Sequence, residues 1–290
     1  MMSTLELENV TVKAAHATLL NGVSLSIGAG EFVALVGPNG AGKTSLIRTA
    51  LGLASLASGS SLLGGKPVAS LSGRERAAMA AWLPQHSAIT EDLTALELVA
   101  AARYRFDEGR ANALDASRAA LRMAGAAEFE SRIVTRLSGG EQQRVAFACL
   151  LAQEAPLLLL DEPANHLDPA QQIALYTLIG QMWRDGHAIL CITHDVNLLA
   201  FATRGREHEC RVLGLNKGAL TFDVRLDAPE LGAHLSGLFG VQLDAVSHSG
   251  RRVFLAASET PTAQRAGGEV SSSRESASVS GAVRPEGAQR

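Results

Sequence analysis

The chain moves between two hydrophobic periods. Residues 5–12 alternate apolar and polar, residues 23–27 do the same, and residues 32–36 are apolar without a break. Alternation marks a half-buried strand, and a short unbroken run fits a strand buried on both faces. Gly28-Ala29-Gly30 separates the last two segments. Residues 43–51 then read as a helix, opened by a glycine-rich loop and closed near Gly52. From about 95 to 127, Ala, Leu, Arg and Glu recur at helical spacing, which predicts an inserted helical segment. Beyond Leu137 the order is helix (141–153), apolar strand (157–160), helix (169–184) and strand (188–192). Such alternation predicts a parallel sheet covered on both faces. Residues 212–222 read as a hairpin turning at Lys217-Gly218, and 227–256 as a small α+β piece. Residues 258–290 are rich in Ser, Ala, Gly, Glu and Arg with almost no large apolar side chain, so that tail is expected to be disordered.

Composition narrows the picture by exclusion. The 290 residues are 47% hydrophobic and 19% charged, enough to bury a core without cross-links. The net charge of −3 lacks the basic footprint of a nucleic-acid binder, so no nucleic acid partner is expected. Cys149, Cys191 and Cys210 form no C-x-x-C pair and read as reduced thiols of a cytosolic protein. Residues 1–7 carry no basic stretch followed by an apolar run, so no secretory leader is expected. No window of 18 uncharged apolar residues exists, and membrane association is expected to come through partner proteins.

Three segments carry chemistry. Gly37-Pro38-Asn39-Gly40-Ala41-Gly42-Lys43-Thr44 fits G-x-x-x-x-G-K-[ST], between an apolar strand and a helix. Glycines let backbone N–H groups converge on phosphate oxygens, and the helix N-terminus adds favourable partial charge. Lys43 is placed to reach the β- and γ-phosphates and Thr44 to bind Mg²⁺. The plain alternative is a glycine-rich turn, which the strand–loop–helix context disfavours. Residues 157–160 run into Asp161-Glu162-Pro163. A carboxylate at the C-terminal end of a parallel strand lies at the ligand edge of the sheet. There Asp161 can bind Mg²⁺ through water and Glu162 can polarise an attacking water; two solvated acids ending a strand are the alternative. In the third segment, residues 137–144, Ser138 and Glu141 make a capping box. Capping leaves Gly139 and Gly140 unexplained, since glycines weaken a first turn. A serine and two glycines at a helix start make a second anion site.

With these segments on the page, the sequence resembles the ABC ATPases. Residues 37–44 look like their Walker A loop, 137–144 like the family signature and 157–163 like Walker B. Trp82-Leu83-Pro84-Gln85 resembles the Q-loop, Asn165-His166-Leu167-Asp168 the D-loop and Ile192-Thr193-His194-Asp195 the switch-histidine motif, all in family order over residues 5–225. The resemblance implies a P-loop NTPase α/β fold: a mixed-sheet core, an antiparallel β-subdomain and an inserted helical subdomain. It implies one ATPase domain over 1–257, with the helical insertion at about 86–137 and a small extension at about 226–257. It implies catalytic roles for Glu162, His194 and Gln85, and metal contacts from Thr44, Gln85 and Asp161. The implied nucleotide set is Gly37, Pro38, Asn39, Gly40, Ala41, Gly42, Lys43, Thr44 and Ser45. Ser138, Gly139, Gly140, Gln142 and Asp168 would act across a head-to-tail pair that sandwiches ATP.

One departure concerns adenine. The family stacks it on an aromatic residue before the phosphate loop, and no Tyr, Phe or Trp lies between Met1 and Phe32; His16 is the candidate substitute, against a solvated turn residue. The other histidines, His86, His166, His187, His208, His234 and His248, make no metal-ligand pattern. A single phosphate loop and a helical segment of only about 50 residues disfavour translation and repair relatives, which resemble this chain in motif alone. The stretch Leu83 to Ser87, with residues 93–99 and Arg103-Tyr104, looks like importers of iron-siderophore, haem and cobalamin. Such a protein would work on the cytoplasmic face of the inner membrane with permease subunits and a periplasmic substrate-binding protein, and residues 85–99 would be its docking surface. Another small-solute importer, a single-domain exporter subunit or a soluble ABC protein remain alternatives.

Overall fold

Two antiparallel strands, β1 (Ser3–Ala14) and β2 (Ala17–Gly28), lead to β3 (Phe32–Val36). Helix α1 (Lys43–Ala50) leaves the glycine loop, after which β4 (Ser58–Leu63) and β5 (Lys66–Pro67) follow. Helix α2 (Gly73–Met79) is closed by a capping box from Ser72 and Glu75 and feeds β6 (Ala80–Leu83). The insertion contains α3 (Ala95–Ala101) and α4 (Arg110–Met123). Next come α5 (Gly139–Ala152), β7 (Leu157–Asp161), α6 (Pro169–Arg184), β8 (Ala188–Ile192) and α7 (Leu199–Thr203). The hairpin β9 (Cys210–Asn216)–β10 (Ala219–Arg225), helix α8 (Leu231–Phe239) and the hairpin β11 (Leu243–His248)–β12 (Arg251–Ala256) complete the order. This computed structural model describes residues 3–14, 17–85, 92–165, 167–248 and 250–257. The expectations for His16, His86 and His166, for positions 86–91 of the docking segment and for the 258–290 tail lie outside those residues.

Six strands run in the order β10-β9-β3-β8-β7-β6, parallel throughout except for β10 against β9. A second, antiparallel sheet has the order β2-β1-β4-β5. The core sheet is therefore mixed rather than purely parallel, because a two-residue turn at Lys217-Gly218 can only return the chain antiparallel. The period-2 side-chain alternation splits each central strand between two cores. Phe32, Ala34, Val36, Leu158, Leu160, Ile189 and Cys191 face the helices α5, α6, α7 and α8. Val33, Leu35, Leu157, Leu159, Leu190 and Ile192 face α1 and the antiparallel sheet. Burial on both faces explains why these strands are unbroken apolar runs.

The helical insertion holds the two α-helices α3 and α4. Arg103, 6% exposed, turns inward after α3 and donates to Glu108 at 2.6 and 2.9 Å, to Glu154 at 2.6 Å and to the Ala152 carbonyl at 2.8 Å. This ties the insertion to the C-terminal end of α5 and gives Arg103 a structural duty, while Tyr104 stays exposed. The strands β4, β5 and β6 have no clear sequence signal, whereas α2 carries one that was passed over, the Ser72-x-x-Glu75 capping box. Ser58-Gly59-Ser60-Ser61 is poor in β-branched residues, and β6 is only four residues long.

Helices α6 and α7 meet at Gly180, where an added Cβ would fall 2.0 Å from the Ala202 carbonyl oxygen. In an open helix Gly→Ala would stabilise by up to about 1 kcal/mol. Here the backbone clash outweighs that gain. Gly180→Ala is expected to lower stability by about 1–3 kcal/mol, read as a reduced urea midpoint without loss of helix content.

Candidate functional site

The C-terminal ends of β3, β6, β7 and β8 lie on one sheet edge, and each delivers one predicted motif: the phosphate loop, Gln85, Asp161-Glu162 and Thr193-His194. Backbone bonds knit three of these ends. Glu162 N–H donates to the Ile192 carbonyl at 3.1 Å, and Thr193 N–H to the Leu35 carbonyl at 3.2 Å.

The phosphate loop is shaped from outside. An added Cβ on Gly37 would lie 2.2 Å from the Leu215 carbonyl oxygen, and one on Gly42 2.4 Å from that of Leu19. Gly42 also has φ +105°, a conformation that disfavours any side chain. The β9–β10 turn braces the loop, with Gly218 N–H donating to Ala41 O at 2.9 Å. Lys43 Nζ closes the loop on itself, donating to the carbonyls of Gly37 at 2.8 Å and Pro38 at 3.2 Å. Asn39, Gly40, Ala41, Gly42, Lys43, Thr44 and Ser45 line a cleft of about 380 Å³ with Leu19, Gln85 and Glu162. Leu19, near the start of β2 and outside every strand the sequence predicted, is a lining residue that its local context did not flag.

The acidic groups converge on this cleft. Thr44 Oγ1 donates to Asp161 Oδ2 at 2.8 Å, while Asp161 Oδ1 is buried without a hydrogen-bond partner. Burial pushes the Asp161 carboxyl above its ordinary pKa, partly opposed by the Thr44 hydrogen bond. Burial also pushes the Lys43 ammonium down, opposed by Glu162 and Asp161. Each charged form therefore lacks full compensation, which a phosphate near Lys43 and a cation near Asp161 would supply. Glu162 sits at φ +50°, uncommon for a residue with a side chain. Its Oε2 accepts from Gln85 Nε2 and from Asn165 Nδ2, both at 2.5 Å, and its Oε1 pairs with His194 Nε2. The Asn165 contact was not foreseen; the residue stood in the sequence only as the first position of a motif.

The signature end lies apart from that cleft: none of Ser138, Gly139, Gly140 or Gln142 lines it. Glu141 reaches back to accept from the Ser138 N–H and hydroxyl, both at 2.7 Å, as the capping box predicts. A Cβ on Gly140 would meet only the tip of the flexible Gln171 side chain of α6, which can move aside. Gly139 is exposed and a Cβ there would meet nothing within 4 Å, so the chain itself gives no reason for it. Gln142 Nε2 donates to its own chain's Val134 and Leu137 carbonyls at 3.1 Å each. Asp168 is exposed and caps α6 by accepting from Gln171 N–H at 2.8 Å. Among the described residues no three His, Cys, Asp or Glu side chains group as a metal site.

Fold and site together define a phosphate-loop nucleotide hydrolase. Comparison with known proteins narrows this. The sequence model of the family described as ABC transporter matches residues 20–165. Another, described as an AAA domain of a putative AbiEii toxin, type IV toxin–antitoxin system, matches the shorter span 131–200. The hemin import ATP-binding protein HmuV of Rhodopseudomonas palustris strain HaA2 is 38% identical over 257 residues, covering 84% of this chain and 95% of its own. A dimeric post-hydrolysis structure of the ATP-binding cassette MJ0796 with ADP and Pi superposes with TM-score 0.69 at 26% identity, over 77% of this chain and 99% of that one. A putative metal-chelate type ABC transporter in an inward-facing conformation shares the fold, with TM-score 0.74 at 21% identity over 89% of this chain and 98% of that one. The chain belongs to the ABC transporter family, as an ATP-binding and ATP-hydrolysing subunit. Among the described residues no helix is long and apolar enough to cross a membrane.

Gly42→Ala is expected to lower stability by about 1–3 kcal/mol and to abolish ATP binding, checked by thermal unfolding and by titration with a fluorescent ATP analogue.

Proposed function

We propose that this chain works as a head-to-tail pair that grips ATP between the phosphate loop of one copy and the signature helix of the other, to power import of hemin or a related iron chelate. The observation that carries the reading is the separation, within one chain, of two anion-binding elements, with Gly139 bare toward the outside. The dimeric form of the cassette MJ0796 supports the pairing, and the hemin import name of the HmuV relatives supports the cargo. We assign residues 1–257 to the ATPase domain, with the insertion at about 86–137 and the extension at about 226–257.

Thr44 Oγ1 and the unpartnered Asp161 Oδ1 form an oxygen donor set that fits Mg²⁺, with Gln85 beside it and the remaining ligands taken from phosphate and water. When bound, that ion neutralises charge on the β- and γ-phosphates. Lys43, released from the Gly37 and Pro38 carbonyls, turns to the phosphates, and the backbone N–H groups from Asn39 to Ser45 surround them, with Gly37 and Pro38 shaping the entry to the loop. Glu162 orients and deprotonates the attacking water. His194 leaves Glu162 Oε1 and donates to the γ-phosphate, so one histidine moves between a resting partner and a working one. Ser138, Gly139, Gly140 and Gln142 of the second copy complete the phosphate and ribose contacts, and Asp168 crosses between copies. Phosphoryl transfer to water depends mainly on such positioning and charge neutralisation. Closure of the pair would move a permease held at residues 85–99, on the cytoplasmic face of the membrane, with a periplasmic binding protein supplying the cargo.

Glu162→Gln is expected to bind ATP, remain paired in sedimentation and lose at least about a hundredfold in phosphate release; a solitary protein at saturating MgATP would reject the pairing. Charge reversal at Asp92, which lies within the proposed docking segment and accepts from Thr135 Oγ1 at 2.9 Å, is expected to reduce hemin uptake severalfold in cells while basal ATPase persists. Equal loss of both activities would count against docking there.

A further inference from the structure

The Glu162 carboxylate is held by more donors than its proposed role demands. The terminal torsion of a glutamate is soft, so an unrestrained carboxylate samples a broad range of planes. Gln85 restrains it from the neighbouring strand end, but Gln85 also belongs to the metal and permease side of the site. Asn165 comes from the same turn as Glu162, three residues on, and the turn is closed by its backbone N–H donating to the Glu162 carbonyl at 3.2 Å. Its Nδ2 meets Oε2 at 2.5 Å. The amide orientation is fixed by that contact, because the flipped amide would set an oxygen against the carboxylate.

We propose that Asn165 is a positioning residue for hydrolysis, its side-chain N–H fixing Oε2 of Glu162 so that Oε1, once His194 turns away, faces the attacking water. This rests on the assignment of Glu162 to that water. The rival account makes Asn165 a turn former only, a duty that aspartate performs as well as asparagine.

The two accounts order a substitution series oppositely. In the full-length protein, Asn165→Ala removes the donor, Asn165→Ser keeps a shorter one, and Asn165→Asp keeps the shape but sets an acceptor against the carboxylate. Alanine is expected to lower kcat about tenfold, the weight of one hydrogen bond to a charged group, with the KM for ATP held within about twofold. Serine should lose less than alanine, and aspartate more. Urea midpoints of all three check that folding is intact. Aspartate as active as alanine or better, or a loss carried in KM, overturns the role of Asn165. A Glu162→Gln protein of undiminished turnover would instead remove Glu162 from the water, and this proposal with it.

Discussion

Foreign backbone presses on the phosphate loop. The carbonyl of Leu215 crowds Gly37, that of Leu19 crowds Gly42, and Gly218 of the β9–β10 turn holds Ala41. Side chains at either crowded glycine would push the loop off the sheet edge, and the amides could no longer converge on one phosphate. The shape of the binding cleft is thus set by β2, β9 and β10, which contribute almost no chemistry of their own. The motif supplies permissive residues, and distant segments supply the mould.

The same edge concentrates unbalanced charge. Parallel pairing of β3, β8 and β7 ends the three strands at one level, so Lys43, Asp161, Glu162 and His194 are crowded into a partly buried space. They are held by one another and by the loop: lysine on loop carbonyls, histidine on glutamate, threonine on aspartate. What remains unsatisfied is one oxygen of Asp161.

Much of this was legible in the sequence. Strands β3, β7 and β8 and helix α6 appear as apolar runs or periods bounded by Gly, Pro or Asp, and the structure sets them within a residue of those bounds. The residues to which the spaced motifs point, such as Lys43, Asp161 and His194, are brought to one sheet edge because each motif follows a strand that the apolar runs already mark. Elements that depend on pairing at a distance were not legible. Strand β4 is written in Ser and Gly and is held by its ladder with β1. Leu19 joins the cleft only because β2 passes over Gly42, and Gly180 matters only because α7 leans on it. Neither contact leaves a local mark. Asn165 had a visible position, but its partner becomes evident only when the left-handed backbone of Glu162 turns the two side chains toward each other.

Helix α6 is fastened at two levels. Near its middle, the Tyr176 hydroxyl donates to Thr193 Oγ1 at 2.9 Å, one residue from His194. Near its far end, Trp183 Nε1 donates to the Gly30 carbonyl at 2.8 Å, with its ring edge-on to Phe32. Sixteen residues give a rod about 24 Å long. Sliding that rod along its axis would break both attachments together. The register of α6 is thereby tied to the strand end that carries His194, so loosening either aromatic anchor would reach the hydrolysis site from behind.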